Sequence, residues 1–186
     1  MGEPLAPGPE PTGRPAYLDG ADALLFERRL GSVPTRLWDL LVDRHLARAW
    51  LGSWAFHPAT GTIDFLGLAE GEDAEPVRYR LVDLVPGRLV EVATPDTDGS
   101  GQWRVRLQLQ PEPAGGTRLV LLETVPDPAF TPLVGAAADY YLDRLVAVER
   151  GRGLGDLCYE DYVANRAAHY RRLFPGQRAS TPSTRP

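Results

Sequence analysis

The sequence predicts an α+β domain in which an antiparallel sheet of about seven strands curves around one long helix near the C-terminus. Short segments with alternating apolar residues follow one another between residues 23 and 125, joined mostly by turns that contain proline or glycine, a pattern typical of an antiparallel meander. The apolar period then changes to that of a helix over residues 132–150. A chain of 186 residues, 43% of them hydrophobic, is long enough to bury one core around such a helix.

The two ends of the sequence have compositions that disfavour a packed core. Five prolines and three glycines fall within residues 1–16, so we expect residues 1–20 to form a disordered leader. Residues 175–186 combine prolines with serine and threonine, and we expect a disordered tail there. The folded unit then comprises a sheet-and-helix domain over residues 21–152 and an appended helix within residues 153–174.

The first part of the predicted domain holds one strand and two short helices. Residues 23–30 form the strand, and Ser32 with Pro34 opens the first helix. Asp43 can cap a second helix over residues 44–51. The two helices share one apolar face, formed by Leu37, Trp38, Leu41, Leu46 and Trp50.

Six further strands are predicted, at residues 54–57, 62–66, 77–85, 88–94, 102–110 and 117–125. Segment 102–110 has the cleanest period of two. Its residues Trp103, Val105, Leu107 and Leu109 alternate with Arg104, Arg106 and Gln108. One face of this sheet is therefore expected to be buried and the other to face water.

Two helices are predicted after the last strand. The first runs from Pro132 to Arg150 with Thr131 as its N-cap. Its apolar stripe consists of Val134, Ala137, Tyr141, Leu145 and Val148. The second spans about residues 156–174, and its stripe consists of Tyr159, Val163, Ala167, Tyr170 and Phe174. Three arginines, Arg166, Arg171 and Arg172, are expected to lie mostly away from that stripe.

Composition and charge exclude several classes of protein. The sequence opens without a basic segment followed by an apolar core, and it has no apolar run of the roughly 20 residues that a membrane span needs. We therefore expect a cytoplasmic protein without a membrane span. The single cysteine, Cys158, cannot form an internal disulfide. The net charge of −5 argues against nucleic-acid binding as the main activity.

No residue pattern has the spacing of a known catalytic or metal site. His45, His57 and His169 lie far apart and have no His, Cys or carboxylate neighbour at ligand spacing, so we expect no metal. The sequence also contains no phosphate-binding glycine loop, no serine nucleophile motif and no cofactor motif. Cys158 opens the C-terminal helix without an identifiable base, which favours a structural thiol.

Four short motifs occur in one order along the chain. They are Val-Pro-Thr-Arg-Leu-Trp-Asp-Leu-Leu at 33–41 with Trp50-Leu51, Val-Pro-Gly-Arg-Leu at 85–89, Gly-Gly-Thr-Arg-Leu at 115–119 and Leu-Asp-Arg-Leu at 142–145. Together they resemble the SRPBCC superfamily (START-like, helix-grip), and more narrowly its bacterial branch named after the activator of a heat-shock chaperone ATPase (Aha-type). The resemblance covers about residues 22–151. It implies a helix-grip fold with a cavity between sheet and long helix that holds a hydrophobic molecule.

The sequence departs from the family pattern at two places. Ala137-Ala138 stands where the family usually has Gly-Trp, which either enlarges the cavity or leaves its space to another side chain such as Tyr141. Glu123 replaces the family's usual histidine near the end of the last strand. If Glu123 faces inward, burial would raise the pKa of its carboxyl group unless Arg144 or Tyr141 meets it. Alternatively, Glu123 lies near solvent at the end of the strand and pairs with an arginine.

The residues expected to line the cavity are mostly aromatic or aliphatic. They are Trp54, Phe56, Phe65, Tyr79, Leu81, Trp103, Val105, Leu107, Glu123, Val134, Ala137 and Tyr141. Ordinary core packing is the competing interpretation for each of them. Glu123 and Tyr141 are also weak candidates for catalytic residues.

Three functions remain open at this point. The first is binding of a small hydrophobic or aromatic ligand, oriented by Glu123, Tyr79 or Tyr141. The second is a cyclase, dehydratase or hydrolase that acts on a polyketide-like or lipid-like ligand through Glu123 as acid or base, with a tyrosine assisting. The third is a co-chaperone-like interaction module. The basic C-terminal helix either caps the mouth of the cavity, docks on the acidic body of the chain or forms a homodimer contact.

Overall fold

Eight strands and four helices build the part of the chain that the computed structural model describes, namely residues 10–71, 74–95 and 101–174. The strands are β1 (Arg14–Leu18), β2 (Ala21–Leu30), β3 (Gly52–His57), β4 (Thr62–Gly67), β5 (Val77–Val85), β6 (Leu89–Ala93), β7 (Arg104–Pro111) and β8 (Thr117–Thr124). The helices are α1 (Pro34–Val42), α2 (Arg44–Ala47), α3 (Thr131–Glu149) and α4 (Tyr159–Arg171). The predicted tail and the first nine residues of the predicted leader lie outside the described residues.

The eight described strands form one antiparallel sheet in the order β1-β2-β8-β7-β6-β5-β4-β3. Strands β3 to β8 run as a meander, and the β1–β2 hairpin joins the sheet beside β8. The long helix α3 packs its apolar side chains against one face of this sheet. The predicted α+β class and the helix-grip arrangement are therefore confirmed.

Strand β1 lies inside the segment that was predicted to be a disordered leader, and the prediction is wrong for these residues. β1 pairs with β2, and Leu18 is buried. The connecting turn is Asp19-Gly20, and both residues have positive φ angles (50° and 85°), as a two-residue hairpin turn requires. Pro15 is tolerated because β1 is an edge strand. The high proline content thus led to a prediction of disorder where the chain forms a hairpin.

The two short helices begin where the sequence predicted. Pro34 occupies the first turn of α1, and the Asp43 carboxylate accepts hydrogen bonds from two backbone N–H groups at the start of α2 (2.8 and 3.1 Å). Helix α2 ends earlier than predicted. The indole N–H of Trp50 donates to the backbone carbonyl of Leu40 (2.9 Å), so the chain folds back onto α1 instead of continuing the helix.

Helix α3 is buried on two sides, whereas the sequence predicted one stripe. Toward the sheet it contributes Val134, Ala138, Leu142 and Leu145 to the core. On another side, Ala136 and Tyr140 pack against residues of α4. Of the predicted stripe, Ala137, Tyr141 and Val148 are only half-buried. A helix with two covered sides carries apolar residues around most of its circumference, so the pattern alone did not identify the side that faces the sheet.

The start of α3 also differs from the prediction. The Asp127 side chain accepts a hydrogen bond from the backbone N–H of Ala129 (2.8 Å) and caps a turn of 3-10 helix at Pro128–Phe130. Helix α3 continues directly from this turn, so Thr131 is its first residue and not its N-cap. None of the helices in the described ranges is both long and apolar enough to cross a membrane.

We call the face of the sheet that contacts α3 the inner face. In β8 its residues are Leu119, Leu121 and Glu123, which lie opposite inner-face residues of β2 and β7. The core on this face includes Leu24, Phe26, Leu107, Leu109, Leu119 and Leu121 of the three strands. The alternation predicted for β7 is confirmed, because Leu107 and Leu109 are core residues and the intervening arginine and glutamine point outward.

The outer face of the sheet carries paired charges. Glu91 of β6 is 1% exposed and bonds to Arg104 and Arg106 of β7, the latter through its Nε at 2.5 Å. On β4, the Asp64 carboxylate accepts two hydrogen bonds from the Arg78 guanidinium of β5 (2.6 and 3.0 Å). The arginines that alternate with apolar residues along the strands are thus matched by carboxylates on neighbouring strands.

Helix α4 packs against α3 of the same chain, which is one of the three placements that the sequence left open. A Cβ atom on Gly135 would lie 2.2 Å from the Tyr170 ring, so glycine is needed for the two helices to approach this closely. Arg166 was predicted to point away, but it is 3% exposed. Its burial is possible because it pairs with Asp139 (2.9 Å) and its guanidinium lies over the Tyr162 ring (4.1 Å).

A buried charged cluster, here called the Asp139 cluster, joins four segments that are distant in sequence. It consists of Asp139 and Asp143 of α3, Arg28 of β2, Arg166 of α4 and Thr12 before β1. Asp139 is 0% exposed and accepts hydrogen bonds from the Thr12 hydroxyl (2.5 Å) and from Arg28 (3.1 Å). Arg28 also donates to Asp143 (2.9 Å). Two carboxylates and two guanidinium groups balance each other, which makes their burial tolerable.

Candidate functional site

The part of the inner face formed by β3, β4 and β5 is not covered by the core around α3. Six of its inward side chains are here called the open wall, namely Trp54, Phe56, Ile63, Phe65, Tyr79 and Leu81. Within the described residues, none of the six belongs to that core. Five are half-buried, and Phe56 is 45% exposed. Neighbouring large apolar side chains that remain accessible mark a surface suited to a ligand.

The cross-strand register connects the open wall to Glu123. Leu81 lies opposite Val92 of β6, Val92 opposite Val105 of β7, and Val105 opposite Glu123 of β8. Directly paired residues point to the same face of a sheet, so these four side chains form one inward row. The row leads from the open wall across an apolar floor to a carboxyl group.

Glu123 is half-buried, and one of its carboxyl oxygens accepts a hydrogen bond from the indole N–H of Trp103 (2.7 Å). Burial raises the pKa of Glu123 to about 7, and the bond from Trp103 opposes this rise. Arg144, one partner that the sequence suggested, instead donates to the Tyr140 hydroxyl (3.2 Å) and the Ala49 carbonyl (2.8 Å). Among the described residues, Glu123 has no arginine partner, so the alternative of a solvent-exposed ion pair does not hold there.

Two tyrosines near this row have desolvated hydroxyl groups. Burial raises the pKa of Tyr79, and the negative charges of Glu123 and Glu70 add to the rise. Burial also raises the pKa of Tyr141 to about 12. The Tyr141 hydroxyl accepts a hydrogen bond from the backbone N–H of Ala69 (3.0 Å), so this side chain ties α3 to the segment after β4. Within the described part of the chain, Tyr141 makes no hydrogen bond to Glu123.

The structure separates the predicted ligand residues into four groups. Five belong to the open wall, namely Trp54, Phe56, Phe65, Tyr79 and Leu81. Three lie farther along the sheet, namely Trp103 just before β7, Val105 on β7 and Glu123 on β8. Leu107 and Val134 are buried members of the core, so ordinary packing accounts for them. Ala137 and Tyr141 are half-buried on α3.

Three further apolar residues of this region, Ile63, Val92 and Phe130, were not predicted from the sequence. Ile63 lies opposite Tyr79, and Val92 links the open wall to β7. Phe130 packs edge-on against Trp103 with 6.4 Å between the ring centroids, and it is exposed. The period of two in β4 and β6 was a signal for the first two residues. Phe130 had no such signal, because its position depends on the turn that precedes α3.

A separate surface hollow of about 350 Å³ lies where α1 meets α2. Its lining consists of Val42, Asp43, Arg44, His45 and Arg48, all of them exposed. The Asp43 carboxylate is already engaged as the cap of α2, and the hollow lies outside the inner face. In residues 10–71, 74–95 and 101–174, no three His, Cys, Asp or Glu side chains are grouped so as to hold a metal ion.

The chain matches no profile of a known protein family and no curated protein. Solved structures, in contrast, resemble it in fold. CalU16 from Micromonospora echinospora has a TM-score of 0.67 at 16% sequence identity, covering 89% of this chain and 97% of CalU16. EF2215 from Enterococcus faecalis, a conserved protein of unknown function, has a TM-score of 0.64 at 16% identity, covering 87% of this chain and 91% of EF2215.

A further similar structure is DynU16, from the dynemicin biosynthetic locus. It has a TM-score of 0.56 at 14% identity, covering 70% of this chain and 48% of DynU16. At these identities the likeness concerns the fold alone, and the resemblance to the SRPBCC superfamily stays a prediction. The three structures do not indicate the Aha-type branch, which stays a prediction.

Proposed function

We propose that the protein binds a small hydrophobic or aromatic molecule between the open wall and α3. The observation that carries this proposal is that the six large side chains of the open wall lie on the inner face yet outside the core. Burial of such side chains by a ligand is favourable by about 25 cal/mol for each Å² of apolar surface removed from water. The open wall would therefore gain stability from an occupant.

The dimensions of the site support a ligand of a few fused rings. Three inter-strand steps separate Leu81 from Glu123 along the inward row. At about 4.8 Å a step, the row is roughly 14 Å long. Its middle, Val92 and Val105, is apolar, and hydrogen-bonding groups occur at Tyr79 and Glu123. A flat apolar molecule with one polar end fits this distribution.

Two neighbouring residues of β4 provide a matched test of the proposal. Phe65 faces inward opposite Trp54, whereas Leu66 faces outward opposite Ser53. We expect 2-naphthylmethanol to bind saturably, with Phe65→Ala weakening binding about tenfold through lost apolar contact and Leu66→Ala leaving it within about twofold. Isothermal titration calorimetry measures both. Absence of saturable binding to the unchanged protein, or equal effects of the two substitutions, contradicts the proposal.

A catalytic role on such a ligand is the second candidate, and one observation favours it. Glu123 faces inward with a pKa of about 7, so it can both give and take a proton near neutral pH. Glu123 would act as acid or base, with Tyr79 assisting, in a cyclase, dehydratase or hydrolase acting on a polyketide-like or lipid-like ligand. Incubation with an aromatic poly-β-ketone, followed by mass spectrometry, tests for loss of water. Turnover that is unchanged in Glu123→Gln excludes this role.

A further inference from the structure

The charged groups that act on the open wall are negative. The pKa of Tyr79 is raised by burial and additionally by Glu123 and Glu70. Glu70 also contributes to the raised pKa of Tyr141, which is again mainly due to burial. For Glu123 itself, burial is opposed only by the Trp103 hydrogen bond and by no cation. Within the described residues, Tyr79 and Tyr141 thus have carboxylate neighbours, and an arginine contributes to the pKa shift of neither tyrosine nor of Glu123.

Five arginines near the sheet and α3 are engaged elsewhere. Arg28 and Arg166 belong to the Asp139 cluster. Arg104 and Arg106 lie on the outer face with Glu91, and Arg144 bonds to Tyr140 and Ala49. Because the sequence contains no lysine, arginine is its only side chain that is permanently cationic. Within the described residues, Glu123 therefore has no cationic partner.

The Glu123 carboxyl has room for a second hydrogen bond. One oxygen accepts from the Trp103 indole, and among the described residues the other accepts from none. Aromatic rings border the row that leads to it, with Trp103 beside the carboxyl and Tyr79 and Phe65 in edge contact (6.4 Å between centroids) on the open wall. Aromatic faces attract organic cations, and this attraction grows where water is excluded.

From these contacts we infer that the ligand is an aromatic or polycyclic molecule carrying a protonated amine, which donates to the free oxygen of Glu123. The inference rests on the proposed binding function. An ammonium group supplies the counter-charge that Glu123 does not find among residues 10–71, 74–95 and 101–174, and a charge-assisted hydrogen bond is stronger than one from a neutral hydroxyl group. An anionic ligand would meet Glu123 and Glu70 with like charge and would be disfavoured.

Three probes with the same ring system test the charge of the ligand. They are 2-(aminomethyl)naphthalene, 2-naphthylmethanol and 2-naphthoate, titrated near pH 8, where Glu123 is largely ionised and the amine is still protonated. We expect the amine to bind about tenfold more tightly than the alcohol, and the carboxylate to bind most weakly. Isothermal titration calorimetry gives the three dissociation constants.

Two isosteric variants assign the effect to Glu123. Glu123→Gln should lower the ratio of amine affinity to alcohol affinity from about ten to about one, because the side chain keeps its size and loses its charge. The control is Glu160→Gln, which removes a carboxylate from the exposed side of α4 and should leave all three affinities unchanged. Circular dichroism confirms that both variants are folded.

The outcomes separate this inference from the proposed function. If the alcohol or the carboxylate binds as tightly as the amine, or if Glu123→Gln retains the preference for the amine, the amine assignment is wrong and apolar binding stands. If none of the three probes binds, the proposed function fails and the inference fails with it.

Discussion

The two halves of the inner face differ in what covers them, although one sheet carries both. Where β2, β7 and β8 meet α3, side chains such as Phe26, Leu119 and Leu142 are almost fully buried. On β3, β4 and β5, side chains of the same apolar type remain half-exposed and lie outside that core. Apolar alternation is common to both halves, so it does not distinguish packing from ligand binding. The position of α3 across the sheet makes that distinction.

Buried carboxyl groups also differ in their partners between the Asp139 cluster and the inward row. In the Asp139 cluster, two carboxylates meet two arginines and several hydroxyl groups. At the far end of the inward row that starts at the open wall, Glu123 of β8 meets one indole N–H and, in the described residues, no cation. A balanced cluster holds helices and strands together, whereas an unbalanced carboxyl group is available to a ligand or a proton. The Asp139 cluster therefore stabilises the fold, whereas the proposed binding function concerns the open wall and the inward row that ends at Glu123.

The largest effect is expected in the Asp139 cluster. Asp139→Ala leaves Arg28 and Arg166 with one carboxylate fewer, and removal of one partner from a buried ion pair costs about 3–5 kcal/mol. Urea denaturation measures the free energy of unfolding. The control is Asp64→Ala, which breaks an ion pair on the outer face and should change stability far less. Equal losses would show that the cluster is not a structural centre.

Two phenylalanines compare the halves directly. Phe26→Ala should lower the free energy of unfolding by about 3–5 kcal/mol, because Phe26 is 0% exposed in the core. Phe65→Ala should lower it by only about 1 kcal/mol, because the half-buried ring has less surface to lose. Urea denaturation of both variants checks the difference. Similar losses would mean that the open wall is packed as tightly as the core.

A pH-dependent effect is expected from Glu123. Its pKa is about 7 in the folded protein against 4.5 for an ordinary Glu, so the folded state holds the proton more tightly than the unfolded state. This contribution to stability is complete below pH 4.5, declines as the pH rises toward 7 and is lost above it. The decline is at most about 3 kcal/mol. Urea denaturation between pH 5 and 8 should show a steeper decline for the unchanged protein than for Glu123→Gln, and identical profiles would contradict the assignment.

The smallest effect concerns the contact between α3 and α4. Gly135→Ala forces the Tyr170 ring to move, which costs about 1–3 kcal/mol, but alanine favours the helix by about 1 kcal/mol. The net loss of stability should be about 1 kcal/mol. Gly153→Ala, where a Cβ meets open space, is the control and should be neutral in thermal denaturation. A stabilised Gly135→Ala variant would show that the helices separate without cost.

Local patterns predicted the strands better than they predicted the packing. The alternation in residues 102–110 and the Asp43 cap agree with the structure. The strand at residues 14–18 and the burial of Arg166 were not foreseen. Each of these depends on a partner elsewhere in the chain, β2 for the strand and Asp139 for the arginine. A propensity averaged over a short window contains no information about such partners.

For the candidate site, the sequence identified the residue types and the structure determined their surroundings. Glu123 was found from the strand period, but its partner Trp103 was not, because the two residues meet only through the β7–β8 arrangement. Leu107 and Val134 had the same apolar character as Leu81, yet the first two are in the core. The sequence alone did not distinguish residues of the candidate site from residues of the hydrophobic core.

By itself, the sequence determined which side chains alternate along the strands, where the two short helices begin and which residues carry titratable groups, since these follow from local period and side-chain chemistry. The tertiary structure alone decided which half of the inner face is covered and which carboxyl groups acquire arginine partners. The reason is physical. Coverage and charge pairing arise between segments far apart in the chain, as in the hydrogen bond from the Thr12 hydroxyl to Asp139, whose residues are 127 positions apart.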